Sequence, residues 1–177
     1  VGKLNEFTLN ELKQLNIGIK RGWVVPFCTA EEVFAQFANR LTFNIHLKEH
    51  GEEGYLIREL TRLTGKYGAR DSVYFAGSPA ELDWMRRIAP DIPRAAIQLP
   101  KDQIGIFEMA QTYGCTRVQF WLGMFDRALI DQLHADGISC NLFFADTFED
   151  YEHYFDMGID TLLTNRMDLA AAWRRRQ

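Results

Sequence analysis

The sequence of 177 residues predicts an α/β domain of the parallel (β/α)-barrel, or TIM-barrel, type. Short apolar strand patterns alternate with helical patterns along the chain, and parallel strands need such crossovers. No Pro/Ser-rich linker and no shift in composition divides the chain, so we expect a single domain over residues 1–177. The glycine-rich phosphate loops of nucleotide-binding folds are absent. Their absence favours a barrel over an open doubly wound sheet, although either would satisfy the alternation.

The first elements are two helices, predicted over 8–16 and 29–40, with Thr8 and Thr29 as N-caps. Six strands follow, predicted over 41–48, 72–77, 94–98, 117–122, 139–145 and 160–164. Each is followed by a helical pattern, at 55–68, 78–90, 101–114, 126–137, 147–158 and 167–176. A barrel of this type ordinarily has eight such units, so the sequence predicts a partial barrel that lacks two of them.

Composition limits the kind of partner and the compartment. The formal net charge of −4 argues against nucleic acid as the main partner. No apolar run approaches the roughly 18 residues of a membrane span, and the first 16 residues contain no signal-peptide core. Cys28, Cys115 and Cys140 are far apart and odd in number, which is typical of reduced thiols in a cytoplasmic protein. A chain that begins with Val rather than Met suggests processing, or a piece of a longer chain.

The stretch "LTFNIHLKEH" at 41–50 holds the first candidate site residues. Side chains alternate along a strand, so Asn44, His46 and Lys48 share one face while the apolar residues share the other. In a parallel barrel the apolar set would pack under helices and the polar set would face the lumen. At the carboxyl end of the strand, His46 and Lys48 would lie at the barrel mouth, where such folds keep their sites. A frayed strand end is the alternative interpretation.

This stretch and the end of the chain resemble the glycerophosphodiester phosphodiesterase family. Ile45-His46-Leu47-Lys48 is similar to that family's "I-E-x-K" strand, and the segment at 133–169 is similar to the family's last two units. The resemblance implies a (β/α) barrel, a role in lipid metabolism, and metal-dependent hydrolysis of a small phosphodiester. It implies that Lys48 contacts the substrate phosphate and that His46 occupies the position of a glutamate metal ligand.

The resemblance also implies residues that this sequence does not contain. The family's "H-R-G" and "H-D" segments, which carry the acid/base histidines, are absent, and no strand carries the metal-binding "E-x-D". A divalent cation, Mg²⁺ or Ca²⁺, is the implied cofactor, but oxygen ligands suit it better than His46 does. One such ligand cannot hold a metal alone. We therefore expect residues 1–177 by themselves to be inactive.

Three further residues are candidates. Trp121 ends its strand on the same face as Gln119, where it would either line a pocket for a glycerol-like group or pack in the core. Phe143 stands where the family has a tryptophan, which implies a substrate contact. Asp146 follows the strand at 139–145 and would stand near the mouth. The remaining histidines fall in a charged turn or within helices, where we expect them to have no chemical role.

Three hypotheses about function remain open at this stage: an enzyme of this family, a non-catalytic binding protein or pseudoenzyme on the same barrel, and an unrelated α/β domain. Upstream sequence carrying "H-R-G" and "E-x-D" would favour the enzyme. If two units are lacking, the sheet cannot close, and the strands at 41–48 and 160–164 would be free edges. We therefore expect the isolated chain to be an oligomer or to be prone to aggregate.

Overall fold

The computed structural model describes residues 3–99 and 104–176. Its six strands are β1 Phe43–His46, β2 Val73–Gly77, β3 Arg94–Ala96, β4 Arg117–Trp121, β5 Ser139–Phe143 and β6 Thr161–Leu163. Its α-helices are α1 Leu9–Lys13, α2 Ala30–Phe37, α3 Tyr55–Lys66, α4 Pro79–Ile88, α5 Ile106–Tyr113, α6 Arg127–Ala135, α7 Phe148–Asp156 and α8 Met167–Arg174. The alternation predicted from the sequence is confirmed.

The strands form one parallel sheet in the order β1-β2-β3-β4-β5-β6. Its curl is strong enough for a side chain of β1 to reach one of β4, since Asn44 Nδ2 donates to Gln119 Oε1 at 2.6 Å. The chain is a half-barrel of six βα units, which confirms the predicted fold class. Within 3–99 and 104–176, β1 pairs only with β2 and β6 only with β5, so both are free edges as predicted.

Local sequence explains where several helices begin. Thr8 Oγ1 accepts from the backbone N–H of Glu11, and Thr29 Oγ1 accepts from that of Glu32. In both cases the glutamate also accepts from the threonine N–H, which satisfies two of the donors that a helix start leaves open. Pro79 occupies the first turn of α4, where its missing N–H costs nothing.

Several predicted boundaries were wrong. The strand predicted over 41–48 is paired only from Phe43, because β2 begins at its partner Val73. The helix predicted over 101–114 begins at Ile106, because Gly105 has an extended conformation, and residues 101–103 lie outside the described residues. The first helix ends at Lys13 rather than at residue 16. Other predicted strands are also shortened at their ends.

The core lies mainly between the outer face of the sheet and the helices. Its strand side is formed by side chains such as Phe75, Val118, Phe120 and Leu142, and Leu82, Met85 and Ile130 cover them from the helices. A second, smaller apolar cluster lies on the inner face: Tyr74, Ala76, Ala95, Ile97 and Phe143. Each strand therefore sends one side chain outward and the next inward, and the inner set builds the candidate site.

Candidate functional site

The predicted orientation of the opening strand is confirmed. Phe43 and Ile45 pack against the core under the helices, whereas Asn44 faces inward. His46 and Lys48 both line a cavity at the carboxyl edge of the sheet. This edge is the mouth of the half-barrel, so the strand delivers a ring nitrogen and an ammonium group to one concave surface.

The mouth cavity has a volume of about 550 Å³. Its walls come from the carboxyl ends of β1, β3, β4 and β5 and from the start of α4. The lining side chains are His46, Leu47, Lys48, Ser78, Ala80, Glu81, Ile97, Leu99, Trp121, Phe143 and Phe144. A cavity of this size and mixed chemistry is typical of a site for a small molecule.

Partial burial lowers the pKa of His46, and the positive charge of Lys48 lowers it further, while Glu81 acts in the opposite direction. The lowered pKa favours the neutral form of the imidazole. A neutral ring can donate one hydrogen bond and accept another. Lys48 is exposed and supplies the positive charge of the pair.

Trp121 and Phe143 form an aromatic pair in the wall of the cavity, with ring centroids 4.7 Å apart and an angle of 29° between the ring planes. Phe143 is buried, but 36% of Trp121 is exposed to the cavity mouth. Of the two interpretations open for Trp121, the structure favours the pocket wall over the core. His46 approaches the same pair, with its ring centroid 6.2 Å from that of Phe143.

Below the mouth, the inner face is polar. Gln119 and Asn141 are fully buried, and Asn141 Nδ2 donates to the hydroxyl of Tyr74 at 3.1 Å. The Arg117 guanidinium lies 4.9 Å from the centre of the Tyr74 ring. Gln119 and Arg117 line a second cavity of about 420 Å³, which shares His46 and Phe143 with the first. The lumen thus has aromatic side chains, an ammonium and a carboxylate at the mouth, and amide groups and a guanidinium beneath it.

Asp146 has a bracing role in this structure. Its carboxylate accepts from Thr164 Oγ1 at 2.9 Å and from the backbone N–H of Asn165 at 2.7 Å. The Asn165 side chain also donates to it at 3.0 Å. These bonds, those of Asn165 above all, lower the pKa of Asp146. They tie the end of β5 to the end of β6, and Asp146 does not line the mouth cavity.

Sequence reasoning missed two of the cavity's groups. Glu81 is buried and its carboxylate accepts from the Ser78 hydroxyl, and both side chains line the mouth. Phe144 lies next to the aromatic pair, 5.4 Å from Phe143, and 44% of it is exposed. The signal for them was position: Glu81 lies in the first turn of the helix after β2, Phe144 lies directly after β5, and the segments that follow parallel strands meet at one edge.

The residues around His46 do not fit the hard dication that the resemblance implies. Among residues 3–99 and 104–176, His46 and Glu81 are the only imidazole and carboxylate that line the mouth cavity, and the Lys48 ammonium beside them would repel a dication. In the described part of the chain, one cluster of three metal-binding side chains occurs, His134, Cys140 and Asp160, at the opposite end of the strands.

Hydrogen bonds account for the close approach of His134, Cys140 and Asp160. Asp160 Oδ2 accepts from the backbone N–H of Cys140 at 2.7 Å and lies 2.9 Å from Nε2 of His134. Burial raises the pKa of the Cys140 thiol to about 12, so the thiol is protonated at neutral pH. His50, the histidine of the charged turn, stacks on Trp84 with the ring centroids 5.1 Å apart.

No family model matches the sequence, and no curated protein matches it. Among the described residues, none of the helices has the length and apolar character needed to cross a bilayer. Solved structures do match, over nearly the whole chain. A protein from Galdieria sulphuraria that is assigned as a glycerophosphodiester phosphodiesterase superposes with a TM-score of 0.83 at 20% identity, over 98% of this chain and 73% of that one.

The chain has the fold of the glycerophosphodiester phosphodiesterases. The enzyme from Agrobacterium tumefaciens str. C58 matches with a TM-score of 0.79 at 14% identity, over 98% of this chain and 74% of that one. A phosphodiesterase from Oleispira antarctica, solved in complex with the product sn-glycerol-3-phosphate, matches with a TM-score of 0.75 at 18% identity, over 92% and 68% of the two chains. This half-barrel therefore has the architecture that the resemblance implied.

Proposed function

We propose that the chain is a member of the glycerophosphodiester phosphodiesterase family and that its mouth cavity binds the phosphate of a small phosphodiester. The observation that carries this proposal is that Lys48 and His46 line one cavity at the carboxyl edge of the sheet together with the Trp121–Phe143 pair. In this proposal Lys48 contacts the phosphate as a point charge, and the aromatic pair holds the organic group.

His46 is suited to a supporting role toward the phosphate. A neutral imidazole next to Lys48 can donate a hydrogen bond to a phosphate oxygen, and a nearby anion would offset the repulsion that Lys48 exerts on its protonated form. Glu81 is held by the Ser78 hydroxyl and so leaves the Lys48 ammonium available. The cavity can therefore bind an anion without a metal ion.

We further propose that residues 1–177 alone bind this ligand without hydrolysing it. Hydrolysis in this family calls for an acid/base histidine pair and carboxylate metal ligands, and the segments that would carry them are absent from the 177 residues. General acid–base help alone contributes roughly 10²- to 10⁴-fold to a rate. A non-catalytic binding protein on the same barrel is the second candidate, favoured by the poor fit of His46 and Lys48 to a dication.

The test measures binding and turnover on the same preparation. Calorimetry with sn-glycerol-3-phosphate should show binding that Lys48→Ala weakens by about 10- to 100-fold, the range expected for a hydrogen bond to a charged group. Lys20→Ala is the matched control, because Lys20 is an exposed lysine outside the cavity. Equal affinities of the wild type and Lys48→Ala would contradict the phosphate site. Turnover of a glycerophosphodiester with Mg²⁺ or Ca²⁺ that Lys48→Ala abolishes would contradict the expected inactivity.

A further inference from the structure

The mouth cavity has two chemically different sides. The polar side is formed by His46 and Lys48 from the end of β1, together with Ser78 and Glu81 around the start of α4. The apolar side comes from the ends of β3, β4 and β5, with Ile97, Leu99, Trp121, Phe143 and Phe144 as its lining, and it adjoins the polar side where the His46 ring centroid lies 6.2 Å from that of Phe143. A ligand that satisfies both sides must itself have an anionic end and an apolar end.

The apolar side is larger than a glycerol group needs. Every carbon of glycerol carries an oxygen, so glycerol gains little from apolar walls. Trp121 and Phe144, the two large side chains at the rim, keep 36% and 44% of their surfaces exposed. An alkyl chain that lies against them would remove apolar surface from water on both partners. The exposed aromatic rim therefore indicates a ligand with an apolar chain.

The size of the cavity supports the same conclusion. A water molecule occupies roughly 30 Å³ in the liquid, and a methylene group is of similar size. The 550 Å³ cavity thus exceeds the needs of a phosphate and three carbons and leaves room for several further methylenes. We infer that the site prefers a phosphate ester with an unbranched apolar chain, an amphiphile whose phosphate lies at Lys48 and whose chain lies along Trp121 and Phe144. This inference rests on the proposed function for the position of the phosphate.

The experiment measures dissociation constants by calorimetry for inorganic phosphate and for butyl, hexyl and octyl phosphate, all below their micelle concentrations. Each buried methylene should tighten binding about fourfold, so octyl phosphate, with four more methylenes, should bind about 250-fold more tightly than butyl phosphate. Lys48→Ala should weaken every ligand by a similar factor and leave the dependence on chain length unchanged.

Two phenylalanine variants test where the alkyl chain of the ligand lies. Phe144→Ala should flatten the dependence on chain length, whereas Phe7→Ala should not, although Phe7 is similarly exposed at 41%. A wild-type affinity that does not change with chain length would overturn the inference while leaving the phosphate site intact. A dependence that Phe7→Ala abolishes and Phe144→Ala preserves would also overturn it. Inorganic phosphate that binds wild type and Lys48→Ala equally would instead contradict the proposed function.

Discussion

The hydrogen bond between Asn44 and Gln119 crosses the lumen from an edge strand to a central one, so we expect it to stabilise the curl of the sheet. The bond is 2.6 Å long, and Gln119 is fully buried. Asn44→Ala leaves Gln119 Oε1 without its donor. Leaving a buried acceptor unpaired costs about 1–3 kcal/mol. Asn44 Oδ1 is itself unpartnered among the described residues, so the substitution also removes a buried polar atom. We therefore expect the lower part of that range, about 1–2 kcal/mol.

The assay is urea unfolding followed by circular dichroism, with the free energy of unfolding extrapolated to water. A loss of 1–2 kcal/mol corresponds to a melting temperature lower by about 2–8 °C in a chain of this size. Gln119→Leu removes the acceptor and keeps a buried side chain of similar volume. The double variant should therefore be more stable than the sum of the two single losses predicts, by about 1 kcal/mol. Strictly additive losses would refute the reasoning, because they would mean that the two side chains do not depend on each other.

Four further predictions follow from the fold and the site. Gly54→Ala should lower the free energy of unfolding in urea by about 2–4 kcal/mol, because Gly54 has φ +78° and a new Cβ would lie 2.3 Å from Ile88 Cδ1. The control is Gly65→Ala, in open space within α3, which should raise that free energy by about 0.5–1 kcal/mol. Equal effects of the two substitutions would contradict this prediction. Hydrogen bonds lower the folded-state pKa of Asp146, so its contribution to the free energy of unfolding is present above the unfolded pKa and is lost as pH falls through the folded pKa. Asp146→Asn should therefore weaken the dependence of the free energy of unfolding on acid pH. An unchanged pH profile would argue against this role of Asp146. Affinity for a phosphodiester anion should rise as pH falls below 6.5 toward the lowered pKa of His46, because the imidazole gains a positive charge. His46→Gln should remove that rise. A pH dependence of affinity that survives the substitution would exclude His46 as its source. The unpaired edges of β1 and β6 predict self-association in sedimentation experiments, and a monodisperse monomer would count against it.

The sequence by itself determined the order of the elements and the face on which each strand residue lies. These properties are local: a period of two residues placed Asn44, His46 and Lys48 on one face, and threonines and glycines marked the ends of helices. The alternation left a barrel and an open doubly wound sheet both possible, and the absence of glycine-rich phosphate loops favoured the barrel. The predicted boundaries were less accurate, because a strand is paired only as far as its neighbour extends, as at Phe43.

Only the tertiary structure decided which side chains meet. Gln119 is 75 residues from Asn44, and no local pattern indicates that the two side chains form a hydrogen bond. The same holds for the cavity, where Glu81 from the first turn of α4 and Phe144 from the end of β5 line one space with Lys48. Asp146 shows the converse, since its position after β5 suggested a site residue, while its hydrogen bonds show that it braces β6. Periodicity fixes the direction of a side chain relative to its own strand, whereas its partners depend on the curvature of the whole sheet.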